Sequence, residues 1–155
     1  RLIEFGRQAA ADREQRGLGK PETFSFLGFT FICGKSRKGR FLIQRKTRQD
    51  RMMAKLLELK EEMRRRMHWP IPKQGEWLKR VVGGFFNYHA VPTNSRALAT
   101  FRRHVIALWR RTLRRRSQKD DTTWERITRL ADEWLPRPRI LHPWPNVRFA
   151  VKHPR

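Results

Sequence analysis

The stretch Phe24-Ser25-Phe26-Leu27-Gly28-Phe29-Thr30-Phe31-Ile32-Cys33, continued by Phe41-Leu42-Ile43 and then by Thr47-Arg48-Gln49-Asp50-Arg51-Met52, decides the fold, because the hydrophobic period changes within it. Phe24 and Phe26 share one parity, while Leu27, Phe29, Phe31 and Cys33 share the other. Alternation of this kind marks a strand with one buried face, and the parity change beside Gly28 predicts a β-bulge there. Gly34-Lys35-Ser36-Arg37-Lys38-Gly39 reads as a glycine-bounded basic turn, so a hairpin is expected with Lys35, Arg37 and Lys38 at its tip and Arg40 just beyond.

After Lys46 the period lengthens to about 3.6 and predicts four helices. The first starts at a Thr47-x-x-Asp50 cap, with Met52, Leu56, Met63 and Met67 on one stripe, flanked by Met53, Leu57 and Leu59, and it stops at Pro70 and Pro72. The second runs from about Lys73 through Trp77, Leu78, Val81, Val82, Phe85 and Phe86. Asn94 or Ser95 caps the third, whose stripe is Leu98, Phe101, Val105, Leu108, Trp109 and Leu113. A Thr122-x-x-Glu125 capping box opens the fourth, which carries Trp124, Ile127, Leu130 and Trp134 to the breakers Pro136 and Pro138. Upstream, residues 1–5 are weakly strand-like and residues 7–23 suit a short helix running into a surface loop. Downstream, the proline-rich tail is expected to lie extended. The fold class is α+β: an N-terminal hairpin unit over residues 1–46, a mainly helical bundle over 47–135 and an extended tail over 136–155.

Charge narrows the function. Of 155 residues, 37 are Lys or Arg against 14 Asp or Glu, a net +23, so the chain repels itself until a polyanion neutralises it. Six Trp and ten Phe exclude a disordered basic tail. The third helix carries Arg102, Arg103, Arg110, Arg111, Arg114, Arg115 and Arg116 on the faces its apolar stripe leaves free, and between Met63 and Lys119 the only acid is Glu76. A merely solvated face mixes signs; this one does not, which points to nucleic acid and to bidentate arginine contacts with phosphate. A membrane surface is the weaker polyanion, because a bundle consumes the apolar faces that insertion would need.

Catalytic chemistry finds no foothold. Cys33 stands alone, which excludes an intrachain disulfide and multi-thiolate zinc sites, and it reads as a small buried hydrophobe. His68, His89, His104, His142 and His153 form no i,i+4 pair, so no metal site is expected. Asp120-Asp121 reads as charge at a helix start, Glu61-Glu62 as a solvated pair, and Gly83-Gly84 as a close helix contact. Trp77, Trp109, Trp124 and Trp134 read as core, with Trp69 and Trp144 better placed for exposure. No run approaches the ~20 apolar residues of a membrane span, and no signal-peptide pattern is present, so a soluble intracellular protein is expected. The chain opens with Arg1 within a strand-like segment and is expected to be a piece of a longer protein.

Phe24-Ser25-Phe26-Leu27-Gly28-Phe29 with Gly34-Lys35-Ser36 resembles the last block of the reverse-transcriptase domain in group II intron-encoded reverse transcriptase/maturases. Gly84-Phe85-Phe86-Asn87-Tyr88, Asn94-Ser95-Arg96 and the helix through Leu108-Trp109-Arg110-Arg111 resemble that family's maturase region, domain X, which is the polymerase thumb. The tail from Arg139 to Phe149 is similar to the ending of bacterial members. The resemblance implies the end of a palm, with a primer-grip-like hairpin at Phe26, Leu27, Gly28 and Phe29, followed by a thumb with maturase-motif positions Gly84, Asn87, Tyr88 and Ser95. It implies structured intron RNA and template-primer duplex as partners, in splicing and RNA-directed DNA synthesis, and a bacterial cytoplasmic, nucleoid-associated setting. The tyrosine-x-aspartate-aspartate motif and the earlier palm and fingers blocks are absent. No cofactor is expected in this piece, with Mg2+ expected only for the full-length polymerase, so the piece should bind but neither polymerise nor cleave. The alternative is a stand-alone basic structural protein, of ribosomal or nucleoid type, that coats nucleic acid.

Overall fold

In a computed structural model, which describes residues 1–152 and the side chains up to Arg148, three antiparallel strands are followed by a bundle of helices. His153, Pro154, Arg155 and the side chain of Phe149 lie outside the described residues. The elements run α1 (Arg7–Gln15), β1 (Phe24–Phe26), β2 (Phe29–Lys35), β3 (Phe41–Thr47), α2 (Gln49–Arg65), α3 (Ile71–His89), α4 (Ser95–Arg114), α5 (Trp124–Trp134) and α6 (Pro145–Lys152). The α+β class and the order of hairpin before helices are as the periodicities predict.

The parity change at Gly28 has a different cause from the bulge predicted. β1 and β2 are separate strands that pair Phe26 with Phe29, and Leu27 and Gly28 between them sit at φ 48° and 81°. Positive φ at both central residues is the signature of a two-residue type I′ hairpin turn. Because opposed residues share a face, both parity classes end up on one side, where the Phe24 and Phe31 rings stack with centroids 4.9 Å apart. Residues 1–5 add no strand; Phe5 instead meets Phe24 edge-on at 4.7 Å. The second hairpin, β2 with β3, closes through the basic turn as expected, with Gly39 at φ 74°.

α4 is the centre of the bundle, packed against α2, α3 and α5. Leu98, Phe101, Val105, Trp109 and Leu113 are buried along its length, and Phe101 stacks on Phe85 of α3 at 3.7 Å. Full burial of side chains of this size stabilises by about 1.5–3 kcal/mol each, so this stripe anchors the bundle. On α2 the buried stripe is Met52, Leu56, Leu59 and Met63; Leu59 faces inward rather than flanking it, and Met67 lies past the helix end. α3 begins earlier than predicted, because Pro72 sits in its first turn, where a missing N–H costs nothing.

One buried polar side chain joins three helices. Gln74 donates to the carbonyls of Arg66 (2.9 Å) and Met67 (3.0 Å) beyond α2 and accepts the Trp109 indole N–H at 2.8 Å, so a 3 % exposed amide has partners at both ends. Beside it, Gly75 is the glycine that permits close packing: an added Cβ would lie 2.5 Å from the Trp134 ring. Gly83 and Gly84, predicted to serve that purpose, have nothing within 4 Å of such a Cβ.

The helix caps differ from the sequence reading. Thr47 is the last residue of β3, and α2 starts without a side-chain cap. α5 is capped by Thr123, one residue later than the predicted box, its side chain accepting from the Arg126 N–H at 3.2 Å, while Thr122 is buried against Asp120. The tail is not extended throughout. It leaves α5 irregularly, donates the Leu141 and His142 N–H groups to the Ala90 carbonyl at 3.0 and 3.1 Å, and then forms α6.

Candidate nucleic-acid interface

Thr93 and Asn94 hold the sheet to the bundle. The edge strand β3 has unpaired backbone groups, and the Thr93 hydroxyl accepts the Arg45 N–H at 2.8 Å and donates to the Arg45 carbonyl at 3.3 Å. Asn94 accepts the Thr47 N–H at 2.9 Å and donates to the Thr47 hydroxyl (2.7 Å) and the His89 carbonyl (2.8 Å). Asn94 thus precedes α4 without capping it through its side chain. Thr93 sits at φ 76°, a strained position for a β-branched residue, held there by its bonds to β3.

The primer-grip-like residues lie beside this junction. Tyr88 donates its hydroxyl to the Leu27 carbonyl at 2.7 Å, and its ring lies 5.7 Å from that of Phe29. Phe29 is buried between Tyr88 and His89, whereas Phe26 and Leu27 are exposed at 58 % and 66 %. Gly84, Asn87 and Tyr88, at i, i+3 and i+4, are exposed together on α3, and Ser95 is exposed at the start of α4. His89 is enclosed by Phe85, Phe29 and Tyr88, and this burial holds its imidazole below the ordinary histidine range, against a hydrogen bond to the Phe85 carbonyl that works the other way.

The arginines of α4 divide into two groups. Arg102 is drawn onto α5: Nε donates to the Pro136 carbonyl (3.1 Å), and Nη2 to the Ala131 carbonyl (3.0 Å) and to Asp132 (3.1 Å). Arg110 donates Nε to the Thr122 carbonyl at 2.9 Å, and its guanidinium lies 4.5 Å from the Trp124 ring centroid. These two close the α4–α5 contact and correct the expectation of an entirely free ridge. Arg103, Arg111, Arg114 and Arg115 are exposed and Arg116 is half-buried; among the described residues the one ion pair on α4 is Arg102–Asp132. At about 100° per residue, Arg96, Arg103, Arg110 and Arg114 fall on one outward stripe, with Arg111 and Arg115 on the next. Their crowding toward the C-terminal turn is also favourable to the helix dipole.

The hairpin tip forms the other basic surface. Arg37, Lys38 and Arg40 are exposed, and Lys35 pairs with Glu14 at 2.9 Å. The side-chain bonds between sheet and bundle gather at the end where Phe29 faces Thr47, which leaves the tip roughly 20 Å away along the strands. Trp124, expected in the core, is 55 % exposed, while Trp109 is fully buried. Trp77 and Trp69 take the Arg66 guanidinium over their rings at 4.5 and 5.1 Å, and Trp144 is 44 % exposed. The clamp residue Thr93 and the three-way Gln74 carried no signal in the sequence, while a capping reading of Asn94 and a core reading of Trp124 hid the clamp and the exposed ring.

Cys33 is 3 % exposed, in keeping with a small core residue. Among the described residues no three His, Cys, Asp or Glu side chains gather. Asp120 accepts the Thr122 N–H at 2.8 Å and the Thr122 hydroxyl, which hold its carboxyl below the usual range. No helix among the described residues is long and apolar enough to cross a membrane. The surfaces thus define a basic α+β protein. No protein-family model matches this chain, and no curated protein or solved structure does.

Proposed function

We propose that this chain is the C-terminal part of a group II intron-encoded reverse transcriptase/maturase, the end of the palm followed by the thumb and maturase bundle, and that it binds structured intron RNA and the template-primer duplex. The observation that carries the binding is the outward face of α4, where Arg103, Arg111, Arg114 and Arg115 stand exposed without acid partners among the described residues. A planar guanidinium meets phosphate in bidentate fashion, and folded RNA is recognised largely through backbone and shape. The ordered sequence blocks support the family reading. So does the position of the Phe26–Leu27 turn, exposed and braced by Tyr88 at the junction of sheet and bundle, where an apolar tip could lie against a primer strand. The parent's polymerase chemistry and its Mg2+ belong to residues outside this chain.

Competition binding tests the proposal. A labelled, folded group II intron domain is bound by the chain, and equal masses of unlabelled intron RNA and random duplex DNA are compared as competitors. The RNA is expected to displace the label at least tenfold more effectively. Equal displacement would favour a protein that coats nucleic acid indiscriminately.

A further inference from the structure

Trp124 is the first residue of α5 and leaves 55 % of its surface to solvent, although the bundle has room to bury Trp109 completely. One side of its indole carries the Arg110 guanidinium at 4.5 Å, and that cation is fixed by the Thr122 carbonyl at 2.9 Å. The ring also borders an open groove of about 500 Å3 between α4 and α5, whose apolar lining includes Ala99, Ile106 and Pro138, with Thr128 beside them. Arg103 forms the cationic rim; it is exposed, and its one side-chain hydrogen bond goes to the Thr100 hydroxyl at 3.3 Å. None of the residues lining the groove is acidic, and Arg102, the second cation in its wall, is paired with Asp132 at 3.1 Å.

We propose that this groove receives a single unpaired nucleobase of a folded RNA, stacked on Trp124, with the adjoining phosphate held by Arg103. The inference rests on the nucleic-acid reading above and adds a preference for unpaired nucleotides. Three features select this occupant. The groove lies in the size range of roughly 300–1,000 Å3 that takes a small flat ligand, too small for a helix of a partner protein. Its platform is a π-face already backed by a cation, the arrangement on which bases stack without regard to sequence. It opens beside the outward arginine stripe, so a backbone lying along α4 can direct a displaced base into it. A paired base keeps its faces within its own stack and cannot reach the ring.

The test uses the chain as described with two RNA hairpins, identical except that one carries a single bulged 2-aminopurine. Wild type is expected to bind the bulged hairpin on the order of tenfold more tightly than the paired one and to quench the 2-aminopurine fluorescence. Trp124→Ala should erase the preference and the quench while leaving paired-hairpin affinity unchanged, and Trp124→Phe should retain most of both. Equal binding of the two hairpins by wild type, or a preference that survives in Trp124→Ala, overturns the inference while leaving the nucleic-acid reading intact. Failure to bind either hairpin overturns both. If Trp124→Ala does not fold by circular dichroism, the wild-type quench decides, and its absence counts against the site.

Discussion

Arg102 separates the structural arginines of α4 from those proposed to meet phosphate. Its side chain is only 14 % exposed and makes three hydrogen bonds at 3.0–3.1 Å to Ala131, Pro136 and Asp132. Two of the acceptors are carbonyls at the C-terminal end of α5, where a cation also complements the helix dipole. Arg102→Met removes the guanidinium and keeps most of the aliphatic stem, so packing is largely preserved. Hydrogen bonds from a charged donor contribute about 1.5–3 kcal/mol each, but these three do not add. The buried Ala131 carbonyl still accepts the Leu135 N–H at 2.9 Å, and Asp132, at 44 % exposure, keeps contact with solvent and a second cation, Arg137, at 3.7 Å. A net loss of about 2 kcal/mol follows, or a fall in Tm of roughly 4–8 °C for a chain of this length. Urea unfolding followed by tryptophan fluorescence measures the loss, and RNA affinity is measured in parallel where the variant remains folded. Affinity should stay within about twofold of wild type. An Arg102→Met protein of unchanged stability that binds RNA weakly would refute the division.

Three further outcomes follow from the packing. Gly75→Ala should destabilise by about 1–3 kcal/mol, read from a urea melt, although Gly→Ala in a helix normally stabilises, because the new Cβ falls 2.5 Å from the Trp134 ring. Gln74→Leu leaves the Trp109 indole N–H and two carbonyls without their partner and should cost about 2–4 kcal/mol, part of which Trp109→Phe recovers in the double variant. His89 is held below the ordinary histidine range by burial, so the unfolded chain takes up its proton first. Its contribution to stability is therefore complete above about pH 6.5, declines as pH falls through that value, and levels off below the folded-state pKa. The difference in Tm between wild type and His89→Phe should change over that acid range and be flat at neutral pH.

Periodicity carried the helices and the second hairpin, because burying an apolar stripe leaves the same trace in sequence as in structure. Leu98, Phe101, Val105, Trp109 and Leu113 are the example, foreseen and buried. Polar residues were harder to place. Thr47 and Asn94 have the side-chain chemistry of helix caps but are used in a tertiary contact, and an N-cap and an inter-element clamp look alike until the partner strand is known; Thr122 turns its hydroxyl onto Asp120 two residues back. The same ambiguity divided the arginines. Nothing in the letters distinguishes Arg102, which folds back on α5, from Arg103, which stays exposed, since the difference lies in where α5 returns. Leu27 misled by its type: a leucine at φ 48° is an uncommon choice for a two-residue turn, so the parity change read as a bulge.

The most direct measurement is the salt dependence of binding to a folded intron RNA, for wild type and for the variant with Arg103, Arg111, Arg114 and Arg115 all changed to Gln. Each phosphate neutralised contributes about 0.7–0.9 to the slope of log K against log salt concentration. If the α4 face carries binding, the variant should lose affinity and show a slope shallower by about three units, with its unfolding transition unchanged. A variant that folds normally and keeps both the wild-type slope and affinity would contradict the assignment of the RNA to this face.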